Sequence, residues 1–294
     1  MKEYKTYRIA GFVFSVSHDA SCESLASLLP SFKPFETQEK DAEPTFSLSV
    51  DNRLKPDVDR CELIGEFDTG NGKTAVYQRA DGGYQYIIRN INGDECCLLK
   101  TDQRFTQSQC ALRGATEMKA FGLSNSLMFI CAFGGSFKGA LLVHASCVRH
   151  NGLAYPFIAK SGTGKSTHSN LWLKNIPGTD LINDDNPIIR LINGNPVLFG
   201  SPWSGKTPCY RPIDVPLGAI TRIARAPVNS IERLAPVQAF ASLLPACSTM
   251  KWDSTIYDNI CNSITAIIET TPIYTLHCLP DDAAAILCHS TIAR

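Results

Sequence analysis

The chain has 294 residues, enough for two domains of ordinary size. Apolar residues make up 44% and charged residues 19%, which excludes a disordered or fibrous chain. With 28 basic and 28 acidic side chains there is no global basic field to hold nucleic acid or an anionic membrane, so any phosphate recognition has to be local.

The first 120 residues read as a β-rich (α+β) domain. YKTYRIAGFVFSVS, TFSLSV, TAVYQRA, YQYIIRNI and CCLLK are strand-like runs. Turn signals at Asp51-Asn52, Gly70-Asn71-Gly72, Asp81-Gly82-Gly83 and Asn92-Gly93-Asp94 divide them, which predicts antiparallel meanders. Ser21–Leu29 is the one helical candidate. No catalytic constellation lies here, so residues 1–120 are expected to form a packing or recognition module. The twelve cysteines contain no CxxC and no zinc-ligand spacing, and residues 1–20 lack the order of a secretory signal. Reduced, mostly buried thiols in a cytoplasm follow.

Ser124–Phe133 predicts a buried helix that Gly134-Gly135 breaks. The apolar region Leu123–Val148 is interrupted by Gly134, Gly135, Lys138 and His144 and does not read as a membrane span. The texture changes across residues 118–138, and residues 121–294 form the expected α/β domain. LLVHASCV and LAYPFIA are two buried strands joined at Asn151-Gly152, a strong hairpin signal. Thr167–Lys174 follows as a helix. TDLIND, PIIRLI and PVLFG are further strands, the last two joined at Asn193-Gly194. Pro236–Leu244, Ser254–Ile268 and Asp281–His289 predict helices, with YTLHCL as a strand between the last pair.

AKSGTGKST, Ala159 to Thr167, fits the [AG]xxxxGK[ST] form of the phosphate-binding loop. An apolar strand, Leu153–Ile158, runs into it and helix formers follow, which is the context that gives the pattern meaning. Ser161, Gly162, Thr163 and Gly164 would offer successive N–H groups to phosphate oxygens, with the glycines supplying the backbone freedom. The helix start adds its partial positive charge. Lys165 would reach the β- and γ-phosphates, the Ser166 hydroxyl would ligate Mg²⁺, and Thr167 closes the cradle. ATP and Mg²⁺ are the expected ligands.

A second, acidic element is needed to hold the metal or activate a nucleophile. Asp184-Asp185 follows the run LIN, and Pro187 marks the end of that strand. Adjacent strand residues point to opposite sides, so both carboxylates serve one site only where the backbone turns. One could contact Mg²⁺ and the other accept a proton from a substrate hydroxyl. His144, on the strand LLVHASCV one hairpin away, is a third candidate. SPWSGKTPCYR, Ser201–Arg211, reads as a loop that closes over the site, with Lys206 and Arg211 as cations for the transferring phosphoryl group.

HAS (His144–Ser146), SGTGKST (Ser161–Thr167) and NDDN (Asn183–Asn186), in this order, resemble the HPr kinase/phosphorylase family and its phosphoenolpyruvate carboxykinase relatives across roughly Gly139 to Val215. The resemblance implies a carboxykinase-like P-loop fold and a kinase that moves the γ-phosphoryl group of ATP to a hydroxyl. It assigns Asp184 as general base with help from His144, and Asp185 as the Mg²⁺ partner. Where bacterial HPr kinases place a Glu after the loop's Ser, this chain has Thr167, and no acidic residue falls between Asp185 and Asp214. The acceptor therefore stays open: a Ser in a protein or peptide, or a small molecule. A nucleotide-gated binding protein without turnover and a carboxykinase-like small-molecule enzyme are the alternatives, and a homo-oligomer stays open.

Overall fold

The computed structural model describes residues 2–19, 23–38, 43–57, 60–68 and 70–293. The chain is a mixed α/β protein with two compact units, residues 1–134 and 135–294.

The first unit is one eight-stranded sheet. Its strands are β1 (Lys2–Ile9), β2 (Phe12–Asp19), β3 (Phe46–Val50), β4 (Cys61–Asp68), β5 (Lys73–Arg79), β6 (Tyr84–Arg89), β7 (Glu95–Thr101) and β8 (Gln107–Leu112), in the order β1-β2-β3-β8-β7-β6-β5-β4. β4 to β8 form the antiparallel meander that their turn residues predict. The pairs β2/β3 and β3/β8 are instead parallel. A parallel neighbour needs a crossover, and the connection from β2 to β3 carries α1 (Leu25–Leu28), capped by Ser24, and a 3₁₀ turn at Pro30–Phe35. Residues 21 and 22 of the predicted helix lie outside the described residues.

The helix expected at Ser124–Phe133 begins earlier, as α2 (Thr116–Phe129), and continues into a π turn at Ile130–Gly134. It packs on β6, β7 and β8, so it belongs to the first unit. Its glycines serve close approach more than termination. A Cβ on Gly122 would stand 2.6 Å from Cys97 Cβ, and one on Gly134 would stand 2.6 Å from the Phe46 ring. Tyr86 stacks on Phe129 at 5.4 Å and Phe105 meets Phe133 at 5.6 Å, forming an aromatic core under the helix.

The second unit has two sheets. Its strands are β9 (Ala140–Leu142), β10 (Ala145–His150), β11 (Leu153–Ile158), β12 (Asp180–Asn183), β13 (Ile188–Ile192), β14 (Asn195–Phe199), β15 (Asp214–Pro216), β16 (Ile220–Arg225), β17 (Ser230–Arg233) and β18 (Ile273–Cys278). The larger sheet runs β12-β10-β11-β16-β18-β17 and the smaller β15-β14-β13-β9. β11, β16 and β18 are parallel to one another. β10 is antiparallel to both β11 and β12, so β11 and β12 point the same way and deliver their carboxyl ends to one sheet edge.

LLVHASCV is therefore not one strand. β9 joins the smaller sheet and β10 the larger, with His144 between them. The break is held from outside: Val143 N–H donates to the Pro187 carbonyl (3.0 Å), His144 N–H to Ala246 (2.7 Å) and Ala145 N–H to Asp185 (2.9 Å). The β10/β11 hairpin turns at Asn151 (φ 48°) and Gly152 (φ 77°), the left-handed pair that an Asn-Gly turn demands.

α3 (Lys165–Asn175) starts two residues before its predicted start, directly on the loop. Trp172 on α3 is fully buried, 5.4 Å from the Tyr155 ring and 5.5 Å from Phe157, and this ties the helix to β11. α6 (Asp282–Ile292) packs beside α3. α4 (Pro236–Leu243) and α5 (Ser254–Thr270) pack together, and α5 contacts β9 and β14 of the smaller sheet. No helix among the described residues is long and apolar enough to cross a membrane.

Candidate functional site

Gly162 (φ 75°) and Gly164 (φ 129°) hold the turn between β11 and α3 in conformations that a side chain rarely adopts. The first helical bond of α3 runs from His168 N–H to the Gly164 carbonyl. The N–H groups of Lys165, Ser166 and Thr167 precede it, and no acidic residue occupies the first turn. Arg225, the last residue of β16, donates from Nε to the Thr163 carbonyl (3.0 Å) and from a second nitrogen to the Gly162 carbonyl. With these carbonyls held by the guanidinium, the loop's peptide orientation is fixed from outside. Sequence reasoning gave Arg225 no place at the loop, because its partners lie in the turn that follows a neighbouring parallel strand.

Lys165 is buried. Its Nζ donates to His144 Nε2 at 2.9 Å and approaches the Ala159 carbonyl at 3.4 Å. Burial pushes its pKa below the ordinary lysine value, against the pull of Asp185 and Asp184, which raise it. The cation is thus already stripped of water, and two carboxylates lie within electrostatic reach.

The carboxylates differ from each other. Asn183 is fully buried and its Oδ1 accepts from the N–H groups of Asp185 and Asn186, both at 2.9 Å. This Asx turn ends β12 and sends the two Asp side chains to separate tasks. Asp184, 5% exposed, accepts from Ser146 Oγ at 2.7 Å, and Ser146 in turn meets Ser169 Oγ at 2.6 Å. The other oxygen of Asp184 is buried with no hydrogen-bond partner among the described residues. Asp185, with 32% of its side chain exposed, lies 3.3 Å from His144 Nε2. The resemblance had set the imidazole beside the first carboxylate; the structure sets it beside the second. The reason is the Asx turn together with the placement of His144 between two sheets.

The loop after β14 splits the expectation made for it. Its root is fixed by Asn183 Nδ2, which donates to Ser201 Oγ and to the Trp203 carbonyl, both at 3.2 Å, and by Ser201 Oγ donating to the Asn186 carbonyl at 2.6 Å. Its tip crosses the acidic pair: a Cβ on Gly205 would stand 2.9 Å from the Asp184 carbonyl oxygen and 3.3 Å from Asp185 Cβ. Lys206 follows at once and is exposed. Arg211 does not join them. It donates to Asp180 Oδ2 at 2.7 Å and to the Leu181 carbonyl, at the opening residues of β12, where Arg149 also binds Asp180. Burial raises the Asp180 pKa, but the hydrogen bonds from Arg149 and Arg211 outweigh it and hold the carboxyl below its ordinary value. Arg211 is a partner of that ion triad and not a cation over the loop.

No group of three or more His, Cys, Asp or Glu side chains among the described residues could hold a metal by itself. Mg²⁺ takes oxygen ligands, keeps several waters and is shared with substrate phosphates. The hard oxygen donors of Ser166 and the acidic pair fit it, and so does the unpartnered buried oxygen of Asp184.

No protein-family model and no curated protein matches the chain. Among solved structures, the HPr(Ser) kinase/phosphatase from Coxiella burnetii is similar over 51% of this chain and 94% of its own, with 10% sequence identity and a TM-score of 0.30.

Proposed function

We propose that the second unit is an ATP- and Mg²⁺-dependent phosphotransferase of carboxykinase-like P-loop type. It moves the γ-phosphoryl group to a hydroxyl of a protein, peptide or small molecule. The observation that carries this reading is the meeting of Lys165, His144 and Asp185 at the loop's edge, with a buried, half-unsatisfied Asp184 behind them. Binding a nucleotide needs the loop; it does not need a histidine-linked carboxylate beside the lysine. The ordered motifs that resemble HPr kinases support the same chemistry.

In this reading Gly162, Thr163 and Gly164 present the loop's amides to the phosphates, Lys165 neutralises the transferring group, and Thr167 flanks the cradle. Ser166 and Asp184 would hold Mg²⁺, which when bound would supply charge neutralisation to the phosphates. Asp185, partly exposed and next to His144, accepts the proton of the acceptor hydroxyl. The acceptor oxygen bonds to the γ-phosphorus as the bond to the bridging oxygen breaks, and ADP leaves. Lys206 lies at the tip of the loop that crosses the acidic pair, in place to meet the acceptor. The protein acts in the cytoplasm, and the first unit serves as a recognition module. Carboxykinase-like chemistry would draw on Arg190, Arg211, Arg222 or Arg225, and two of these are already committed, Arg211 to Asp180 and Arg225 to the loop carbonyls.

The test is ADP formation from Mg²⁺-ATP with water, serine-containing peptides or polyols as acceptors, for wild type, Asp184→Asn and Asp185→Asn. General-base loss at Asp185 should slow turnover roughly 10²- to 10⁴-fold with nucleotide affinity kept. Normal turnover in Asp185→Asn with loss in Asp184→Asn would reverse the two roles. No ADP with any acceptor, despite binding, would favour the nucleotide-gated binding protein.

A further inference from the structure

Two rows of polar side chains cross from α3 to the acidic pair. The outer row is Lys165–His144–Asp185, with contacts of 2.9 and 3.3 Å. The inner row is Ser169–Ser146–Asp184, with contacts of 2.6 and 2.7 Å. The elements that carry them explain why the rows match. Lys165 and Ser169 are four apart on one face of α3, about 6 Å along its axis. His144 and Ser146 are two apart at the start of β10, about 6–7 Å on extended backbone. The Asx turn made by Asn183 separates Asp184 from Asp185, so each row ends on its own carboxylate.

The inner row has a fixed direction. Ser146 donates its one hydroxyl proton to Asp184 Oδ1, so its bond to Ser169 uses the Ser169 proton. A serine inside a helix commonly returns that proton to the carbonyl four residues back; Ser169 sends it across to β10 instead. Ser146 and Ser169 are both sealed from water, as is Asp184. In the outer row, by contrast, 41% of the His144 side chain is exposed. Asp184 thus has one oxygen held by a hydroxyl and the other buried with no partner among the described residues. A bare, buried carboxylate oxygen is costly, and a bound cation would offset that cost. Turning the carboxylate about its Cβ–Cγ bond would break the Ser146 contact, so the serines fix where the bare oxygen stands.

We propose that Ser146 and Ser169 are positioning residues for the metal. Their two-hydroxyl relay ties Asp184 to α3, the helix that follows the phosphate loop, and holds its free oxygen for Mg²⁺. The inference rests on the phosphate-loop reading given above, with Asp184 as a metal partner, and adds two residues that act through Asp184.

The experiment is calorimetric titration of the whole chain with ATP, once in excess Mg²⁺ and once with the metal chelated. It is run on wild type, Ser146→Ala, Ser169→Ala and Asp184→Asn. The ratio of the two affinities reads the metal's share of binding, which a general loss of packing would not change. Losing a group that orients a metal ligand costs about 10- to 100-fold in metal affinity. Ser146→Ala should therefore shrink the ratio on the order of tenfold and leave metal-free affinity unchanged. Ser169→Ala keeps the Ser146 proton on Asp184 and should shrink it less. Should Ser146→Ala fail to fold, judged by its melting transition, Ser169→Ala decides alone. Serine variants that keep the wild-type ratio, or weaken both affinities equally, overturn the relay; loss of the ratio in Asp184→Asn would still leave that carboxylate as the metal's partner. If Mg²⁺ adds nothing to wild-type affinity, or Asp184→Asn leaves the ratio unchanged, the metal reading of Asp184 falls and the inference with it. Absence of ATP binding under both conditions overturns the phosphate-loop reading itself, and the inference too.

Discussion

Replacing Lys165 by Met removes a charge that the fold holds out of water and keeps a side chain of similar length. The ammonium has one imidazole nitrogen at 2.9 Å and one carbonyl at 3.4 Å, and burial outweighs the two aspartates in setting its pKa. Between that lowered value and the ordinary 10.5 the unfolded chain binds the proton more tightly. Wild-type stability should therefore rise as pH climbs through this window, and the charge should oppose folding below it. Lys165→Met should melt no lower than wild type near neutral pH and should lack that rise. The binding effect runs the other way. A hydrogen bond to a charged group is worth about 1.5–3 kcal/mol, and each 1.4 kcal/mol is a factor of ten. Triphosphate affinity should then fall roughly 10- to 100-fold. Denaturation curves across pH and a titration with Mg²⁺-ATP measure both sides. Affinity within twofold of wild type in a stable variant would refute the reasoning.

Gly164→Ala meets no clash, since the nearest heavy atom to an added Cβ is 4.0 Å away, but it must adopt φ 129°; chemical denaturation should show a loss of about 1–3 kcal/mol. Arg211→Gln should leave nucleotide affinity unchanged, because its guanidinium serves Asp180, and should cost at most about 1 kcal/mol in the same assay. His168 titrates at about 4 when folded and near 6.5 when unfolded. Stability should therefore fall as pH drops from about 6.5 to 4, and His168→Gln, which keeps an acceptor for Trp172, should flatten that part of the pH profile.

What could be read from the sequence was local. The loop and the Asn151-Gly152 and Asn193-Gly194 turns are written in residues that force one backbone conformation, and the structure has them where they were expected, with α3 beginning two residues earlier than its predicted start. The broken strand at His144 was not legible, because LLVHASCV carries no turn residue and the break is made by the carbonyls of Pro187 and Ala246. β16 was missed although it lies between β11 and β18. Its sequence, ITRIAR, alternates with arginines and resembles an exposed strand, and one of those arginines turns out to hold the loop. Which carboxylate meets the histidine depended on Asn183, whose side-chain bonds no spacing rule records.

His144 Nε2 stands between two suitors, the ammonium of Lys165 at 2.9 Å and the carboxylate of Asp185 at 3.3 Å. A nitrogen with a single lone pair cannot accept from one and donate to the other at the same time. While the lysine occupies it, the imidazole has no Nε2 proton to share with Asp185. Drawing Lys165 away to a phosphate releases that nitrogen to pair with the carboxylate. In the kinase reading proposed above, the proton-accepting group would reach its working arrangement only after the nucleotide has arrived, and the order of events would be donor first, acceptor second.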